Sequence, residues 1–361
     1  MVTTRKYRIK DIAKLAKVSI GTVDRVLHNR GRVCPETMQK VNEIAMQINY
    51  KPNILARALV INKKHRIGLF IPQPNGNEYW EQAFVNNHKL ISKFEQLGLN
   101  IEVYFYSAEN KKSFEETGQK ILKSQPNAVI MASLFLSEGL SFYKQCCDLS
   151  VPVIIFDTTI PYLEPLSFIG IDSFQSGRVA AELMTLTCHK KGKFAILHFD
   201  QELVEAPQML ERERGFISYL KEECPDREYI VKVLNNKQHH YQNEIKEILE
   251  KNKISCIFVS TAKVYQIGSY LRQNKIPGII VIGYEITSKN IQLLNNGYIS
   301  FLINENPRLQ VEQSIRTLSN YLLYGEPINS KILFPIEIIT RTNLNSHINK
   351  FSASNQLAEI V

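Results

Sequence analysis

From Arg66 onward the sequence alternates short apolar runs with longer amphipathic stretches, and no other feature limits its possible folds so strongly. RIGLFIP, IEVYFY, AVIMAS, PVIIFD and FIGID form one series; KFAILHF, YIVKVL, CIFVST and IIVIGYE form a second; ISFLIN and ILFPIEIITR close the pattern. Continuous apolar runs belong to strands buried on both faces, which means parallel sheets flanked by helices. Two series predict two doubly wound α/β lobes over residues 66–341. Ligands of such sheets bind in the crevice at the carboxyl ends of the strands. No G-x-G-x-x-G follows a strand and no G-x-x-x-x-G-K-[ST] occurs, which argues against a dinucleotide or P-loop nucleotide.

The first 66 residues differ in pattern and in charge. They hold 15 Lys and Arg against 4 Asp and Glu, whereas the remainder holds 29 against 31. The whole basic excess therefore sits in a small module, as in a polyanion reader joined to a neutral partner domain. Ile9, Ile12, Ala13 and Ala16 recur at helical spacing, and Lys17-Val18 breaks the pattern. Ser19 is placed to cap a second helix whose buried face is Val23, Val26 and Leu27. Gly21, Asp24, Arg25 and His28 then point outward. A third helix is expected from Pro35, with Met38, Val41, Ile44, Ala45 and Ile48 on its apolar face. Two short helices with a tight turn, braced by a third, make a helix-turn-helix. Its second helix fits the major groove, where Arg25 can give two parallel hydrogen bonds to a guanine.

These residues resemble the head and hinge of the lac repressor (LacI/GalR) family. Val18-Ser19, Thr22-Val23 and Arg25-Val26 match its core motif, Asn49-Tyr50 and Pro52-Asn53 its exit, and Ala56-Arg57-Ala58-Leu59 its hinge. The resemblance implies a symmetric dimer on a pseudo-palindromic double-stranded operator. It implies DNA contacts from Ser19, Ile20, Gly21, Thr22, Arg25, His28, Arg30, Tyr50, Asn53, Ala56 and Leu59, the last as a minor-groove wedge. Asp24 stands where Ser is usual, Cys34 where a capping Ser is usual, and Gly21 brings no side chain to a base. Specificity is therefore expected to lean on Ile20, Arg25 and DNA shape.

The core resembles the type I periplasmic sugar-binding proteins, the fold that follows this head in the family. Asn77-Glu78-Tyr79-Trp80 looks like the ribose-type loop whose amide and aromatics meet a sugar. Asp157, Arg212, Glu285 and Glu305 fall at further ligand positions, the two glutamates in place of Asp and Gln. Ala262 replaces a ligand asparagine, and Lys263 follows where Asp is usual. The resemblance thus implies a small polyhydroxylated effector, a sugar or sugar derivative, held by Asn77, Tyr79, Trp80, Asp157, Arg212, Glu285 and Glu305.

Other readings find less in the residues. His198, His239 and His240 are the tempting bases for an enzyme, but no Ser sits in a G-x-S-x-G elbow and no spacing suggests a metal site. No enzymatic activity and no cofactor are expected. The six cysteines lack C-x2-C spacing and are expected to be reduced thiols. No run approaches a membrane span and the N-terminus has no apolar signal core, so a cytoplasmic protein is expected. The expected organisation is an all-α head at 1–52, a hinge helix and linker at 53–65, the two-lobed core at 66–341 and a polar tail at 342–361. Tetrameric members of the lac repressor family append a leucine-heptad helix at the C-terminus, and this tail has no sustained heptad, so the resemblance implies a dimer and not a tetramer. The combined reading is a ligand-responsive bacterial transcriptional regulator of the repressor type. Its rival is a sugar-binding transport or chemosensory protein without specific DNA binding, which the helix-turn-helix argues against.

Overall fold

The computed structural model describes residues 7, 9–27, 33–48, 65–84, 87–199, 207–235 and 241–348. The head contains α1 (Ile9–Ala16), α2 (Ile20–Leu27) and α3 (Pro35–Gln47). Ile12, Ala13, Ala16, Val23, Val26 and Val41 form its buried centre, with Met38, Ile44, Ala45 and Ile48 packed against them. Lys17 ends α1 by turning to a left-handed φ of 57°. The Val18 N–H then reaches back to the Ala13 carbonyl at 3.0 Å, which closes a Schellman-type C-cap. Ser19 Oγ accepts from the Thr22 N–H at 3.0 Å and starts α2. Pro35 opens α3, and Cys34 gives it no side-chain cap.

The core has two six-stranded sheets. The first lobe is built on β1 (His65–Pro72), β2 (Leu99–Tyr106), β3 (Ala128–Met131), β4 (Val153–Phe156) and β5 (Ser167–Gly170). The second is built on β6 (Lys193–Phe199), β7 (Tyr229–Leu234), β8 (Ile254–Val259), β9 (Ile280–Tyr284) and β10 (Phe301–Asn304). Late in the chain, β11 (Lys331–Leu333) joins the first sheet and β12 (Glu337–Ile339) the second. The spatial orders are β11-β5-β4-β3-β1-β2 and β12-β10-β9-β8-β6-β7. Among the described strands, only β12 runs antiparallel to its neighbour. Chain order reverses at β1/β3 and at β6/β8, the switch points beside which such sheets bind ligands. Burial explains the apolar runs: β3, β4 and β5 are buried along their whole length.

The chain crosses between the lobes three times. After β5 the helix Ser173–Thr187 packs into the second lobe through Ala180, Ala181 and Met184. After β10 the helix Pro307–Tyr324 returns to the first lobe through Val311, Ile315 and Leu318. The step from β11 to β12 is the third crossing. The second lobe also runs past the expected boundary at residue 341. Leu344 is buried in its core and Ile348 packs on the same cluster, so the segment up to His347 and Ile348 is not a free polar tail.

Candidate DNA and ligand sites

On the head, Ile20, Gly21 and Arg25 lie on the exposed face of α2, with Ile20 57% exposed. Arg25 Nε donates to the Gly21 carbonyl at 3.2 Å, so the guanidinium folds along its own helix. Ser19 and Thr22 share a hydroxyl hydrogen bond of 2.9 Å at the helix start. His28, Arg30, Tyr50, Asn53, Ala56 and Leu59 lie outside the described residues.

In the core, five of the seven expected ligand residues converge between the lobes. Asp157 is the first residue after β4, Glu285 the first after β9, and Glu305 the first after β10. Tyr79 comes from the helix Glu78–Phe84, which follows β1, and Arg212 from the helix Pro207–Glu223, which follows β6. All five therefore sit at the carboxyl ends of strands. Arg212 is 3% exposed and holds the centre. Its Nη2 donates to Glu305 Oε1, its Nη1 donates to the Ser260 carbonyl at 2.6 Å, and its guanidinium lies 3.9 Å from the centre of the Tyr284 ring. Tyr79 donates its hydroxyl to Asp157 Oδ1, and Thr158 donates to Asp157 Oδ2 at 3.0 Å. Glu285 Oε1 accepts from the Glu305 N–H at 3.1 Å. Asn290 Nδ2 lies 3.0 Å from each of the Ala262, Tyr284 and Glu285 carbonyls and so pins the turn that carries Glu285.

Desolvation sets the electrostatics of this cluster. Burial raises the Asp157 carboxyl above its ordinary range, against the pull of the Tyr79 and Thr158 hydroxyls and the Arg212 charge. Burial and the Glu305 charge push Glu285 well up. Glu305 is raised to about 7 by burial, although Arg212 opposes the shift. Arg212 stays charged: burial works against it most strongly, but Glu305, Tyr284, Asp157 and Tyr79 together outweigh that cost. Two atoms, Glu285 Oε2 and Arg212 Nε, are buried without a hydrogen-bond partner. Orphaned buried polar atoms of this kind are uncommon and mark places where a ligand or water belongs.

Two expected residues fall elsewhere. Trp80 packs into the first-lobe core, edge-on to Phe156 at 6.4 Å, where its ring serves stability rather than a sugar face. Asn77 is exposed, and its side chain accepts from the Tyr79 N–H at 3.1 Å. It is a turn cap that leads into the helix carrying Tyr79.

Sequence reading also missed partners. Ser260 and Tyr284 supply the carbonyl and the ring that hold Arg212, and both sit at strand ends, a position that could have flagged them. Gln82, Glu78 and Thr158 join the lobes. Gln82 Nε2 donates to the Ile286 carbonyl at 2.9 Å, Glu78 accepts from the Ser288 N–H and hydroxyl, and the Thr158 hydroxyl lies 2.5 Å from the Gln208 side-chain amide. His198, a tempting base, is buried between Ser260 Oγ at 2.7 Å and Glu213 at 2.8 Å. Burial keeps its pKa low despite Glu213, so it is a neutral structural ring. Asp172 caps the Ser173–Thr187 helix, and Arg178 pairs with Glu222 at 2.8 Å. All six cysteines are free thiols. Among the described residues there is no metal-ligating cluster, and no helix is long and apolar enough to cross a membrane.

A helix-turn-helix head on a two-lobed crevice defines a class of protein that couples a DNA-reading module to a small-molecule-binding core. Residues 8–53 match the family of bacterial regulatory proteins named for lacI, and residues 67–327 match the periplasmic binding protein domain. The chain belongs to the periplasmic binding protein domain family over its two-lobed core, and it carries a lacI-family helix-turn-helix domain ahead of it. It is 31% identical over 181 residues to the sucrose operon repressor of Klebsiella pneumoniae, covering 46% of this chain and 53% of that protein. The chain spans about half the length of the curated relatives it matches. A solved structure assigned to the LacI transcriptional regulators, from Bacteroides fragilis, superposes with a TM-score of 0.73 at 26% identity, over 79% of this chain and 99% of the other. A solute-binding protein from Agrobacterium vitis, bound to alpha-D-tagatopyranose, superposes with a TM-score of 0.66 at 20% identity, over 78% of this chain and 96% of the other, and shares the fold.

Proposed function

We propose that this protein is a cytoplasmic, ligand-responsive transcriptional regulator of the repressor type. Its head binds a pseudo-palindromic operator as a homodimer, and its core binds a small polyhydroxylated effector, a sugar or sugar derivative. The observation that carries this reading is the convergence of Tyr79, Asp157, Arg212, Glu285 and Glu305 between two lobes, in one chain with a matched DNA-reading head. Carboxylates and an arginine offer acceptors and donors to hydroxyls, as a polyol needs. Ligand contacts to both lobes favour one lobe arrangement over others, and the hinge region transmits that preference to the paired heads. Ile20, Gly21 and Arg25 lie where α2 would face the base edges.

Selection of bound duplexes from a random library, followed by operator titration with a panel of sugars, tests the reading. A recovered site with two symmetric half-sites, whose affinity changes with one of the sugars, is the expected result. Binding with no sequence preference would refute it.

A further inference from the structure

We propose that the crevice selects a polyhydroxylated ligand carrying a protonated amine, an amino-sugar-like cation, over neutral and anionic analogues. The inference rests on the ligand-binding reading above and gives that ligand its chemical class. The titratable groups acting on one another here are Tyr79, Asp157, Arg212, Tyr284, Glu285 and Glu305. Three carboxyl groups thus share one guanidinium. That guanidinium is already committed, with Nη2 on Glu305, Nη1 on the Ser260 carbonyl and its face on Tyr284. Asp157 receives hydroxyl hydrogen bonds from Tyr79 and Thr158, which carry no charge. Glu285 is 2% exposed; its Oε1 receives one backbone N–H, and its Oε2 is buried without a partner.

A buried carboxylate without a counter-charge is costly, and it takes up a proton or finds a cation. The raised carboxyls of Asp157, Glu285 and Glu305 follow from that cost. A ligand ammonium offers three donors and one positive charge, which answers both the orphan Glu285 oxygen and the carboxylate surplus. A neutral sugar can satisfy the oxygen but leaves the charge balance unchanged. A hexuronate or sugar phosphate adds an anion to a site whose single cation has its terminal nitrogens engaged. Arg212 Nε, buried and unpartnered, remains a donor for a ligand hydroxyl.

Isothermal titration calorimetry of the full chain near neutral pH tests this, with D-glucosamine, D-galactosamine and D-mannosamine as probes beside their neutral hexose and hexuronate counterparts. At least one amino hexose should bind roughly tenfold or more tightly than its neutral counterpart. Its hexuronate counterpart should bind more weakly still. Glu285→Gln should erase most of that preference while the melting temperature holds or rises, because a buried ionisable group is replaced by a neutral one and the shape is kept. Asp157→Asn is the second variant and should act in the same direction. The proposal is overturned if no amino hexose binds, if a neutral hexose or hexuronate binds as tightly, or if the preference survives in both variants. Tight binding of a neutral sugar would sink this inference and leave the regulator reading standing. Failure to recover an operator would sink that reading and leave the calorimetric preference untouched.

Discussion

Asp157 and Glu285 occupy equivalent places in the two lobes. Each follows the fourth strand of its lobe, with a left-handed φ of 69° and 70° respectively. Each donates its N–H to the neighbouring fifth strand, Asp157 to the Ile169 carbonyl at 3.1 Å and Glu285 to the Ile303 carbonyl at 2.9 Å. Left-handed backbone is uncommon for any residue but glycine and costs about 1–3 kcal/mol. The two lobes thus make the same strained turn, and each aims a carboxyl at the crevice.

The raised carboxyls give the core a signed pH dependence. Glu305 titrates near 7 when folded, against an ordinary value of 4.5. Between those values the folded state holds a proton that the unfolded chain has released, so stability falls as pH rises through the window. The same sign holds for Asp157 and Glu285, whose shifts are also upward. The melting temperature should therefore drop between about pH 5 and about pH 7.5. Trp80, the sole tryptophan, reports it by fluorescence from within the first-lobe core. Glu285→Gln should flatten the slope, and a variant as steep as the parent would count against this electrostatic account.

Arg212 and Glu305 should behave as a coupled pair. Removing one member of a buried ion pair strands the other, and the cost is typically about 3–5 kcal/mol. Arg212→Met alone should lose that much in denaturant unfolding. Arg212→Met combined with Glu305→Gln should recover a large part of it, while neither variant regains the ligand response. Additive losses in the double-mutant cycle would mean that Glu305 does not anchor Arg212.

Gly215 sets where Arg212 sits. A methyl at Gly215 would lie 1.9 Å from the Phe174 carbonyl oxygen, and one at Gly177 would lie 2.0 Å from the Arg212 carbonyl oxygen. The two helices meet backbone to backbone, so Gly215→Ala must push them apart. We expect a stability loss of about 1–3 kcal/mol, as for overpacking, with a fall in ligand affinity from the displaced guanidinium. Lys221→Ala, on the exposed side of the same helix, is the control and should change neither. Unaltered calorimetric affinity in Gly215→Ala would separate the helix contact from the site.

The strands and the lobe count were readable because fully buried strands must be apolar throughout, and that pattern survives in the sequence without side-chain geometry. Asp157, Glu285 and Glu305 were readable for a related reason: a polar residue that closes an apolar run lies at a strand end, where these folds bind ligands. Trp80 was misread because an aromatic next to Tyr79 looks alike whether it faces a ligand or Phe156; a helical turn points neighbours in different directions. The commitments of Arg212 to Ser260 and Tyr284 join residues 48 and 72 positions apart, and no local pattern encodes them. Leu344 escaped notice because one apolar residue in a polar stretch carries no period, yet it fills a place in the second-lobe core.

Arg25 offers the sharpest test of the head. It lies on the exposed face of α2, and its only described hydrogen bond is to the Gly21 carbonyl within its own helix, at 3.2 Å. A major-groove guanine offers two acceptors in the plane of the guanidinium, so exchanging that one bond for two is favourable. Neighbouring Gly21 has no side chain to share the readout, which concentrates base discrimination on Arg25. Arg25→Ala should cost about 1–3 kcal/mol per half-site on the selected operator and relax preference at one symmetric position. Binding to random duplex should fall less, and the salt dependence should change little, because a base contact releases no phosphate counterion. Gel shifts with operator and random duplexes at two salt concentrations measure all three quantities. Equal losses on both duplexes, with a shallower salt slope, would move Arg25 from the base edge to the phosphate backbone.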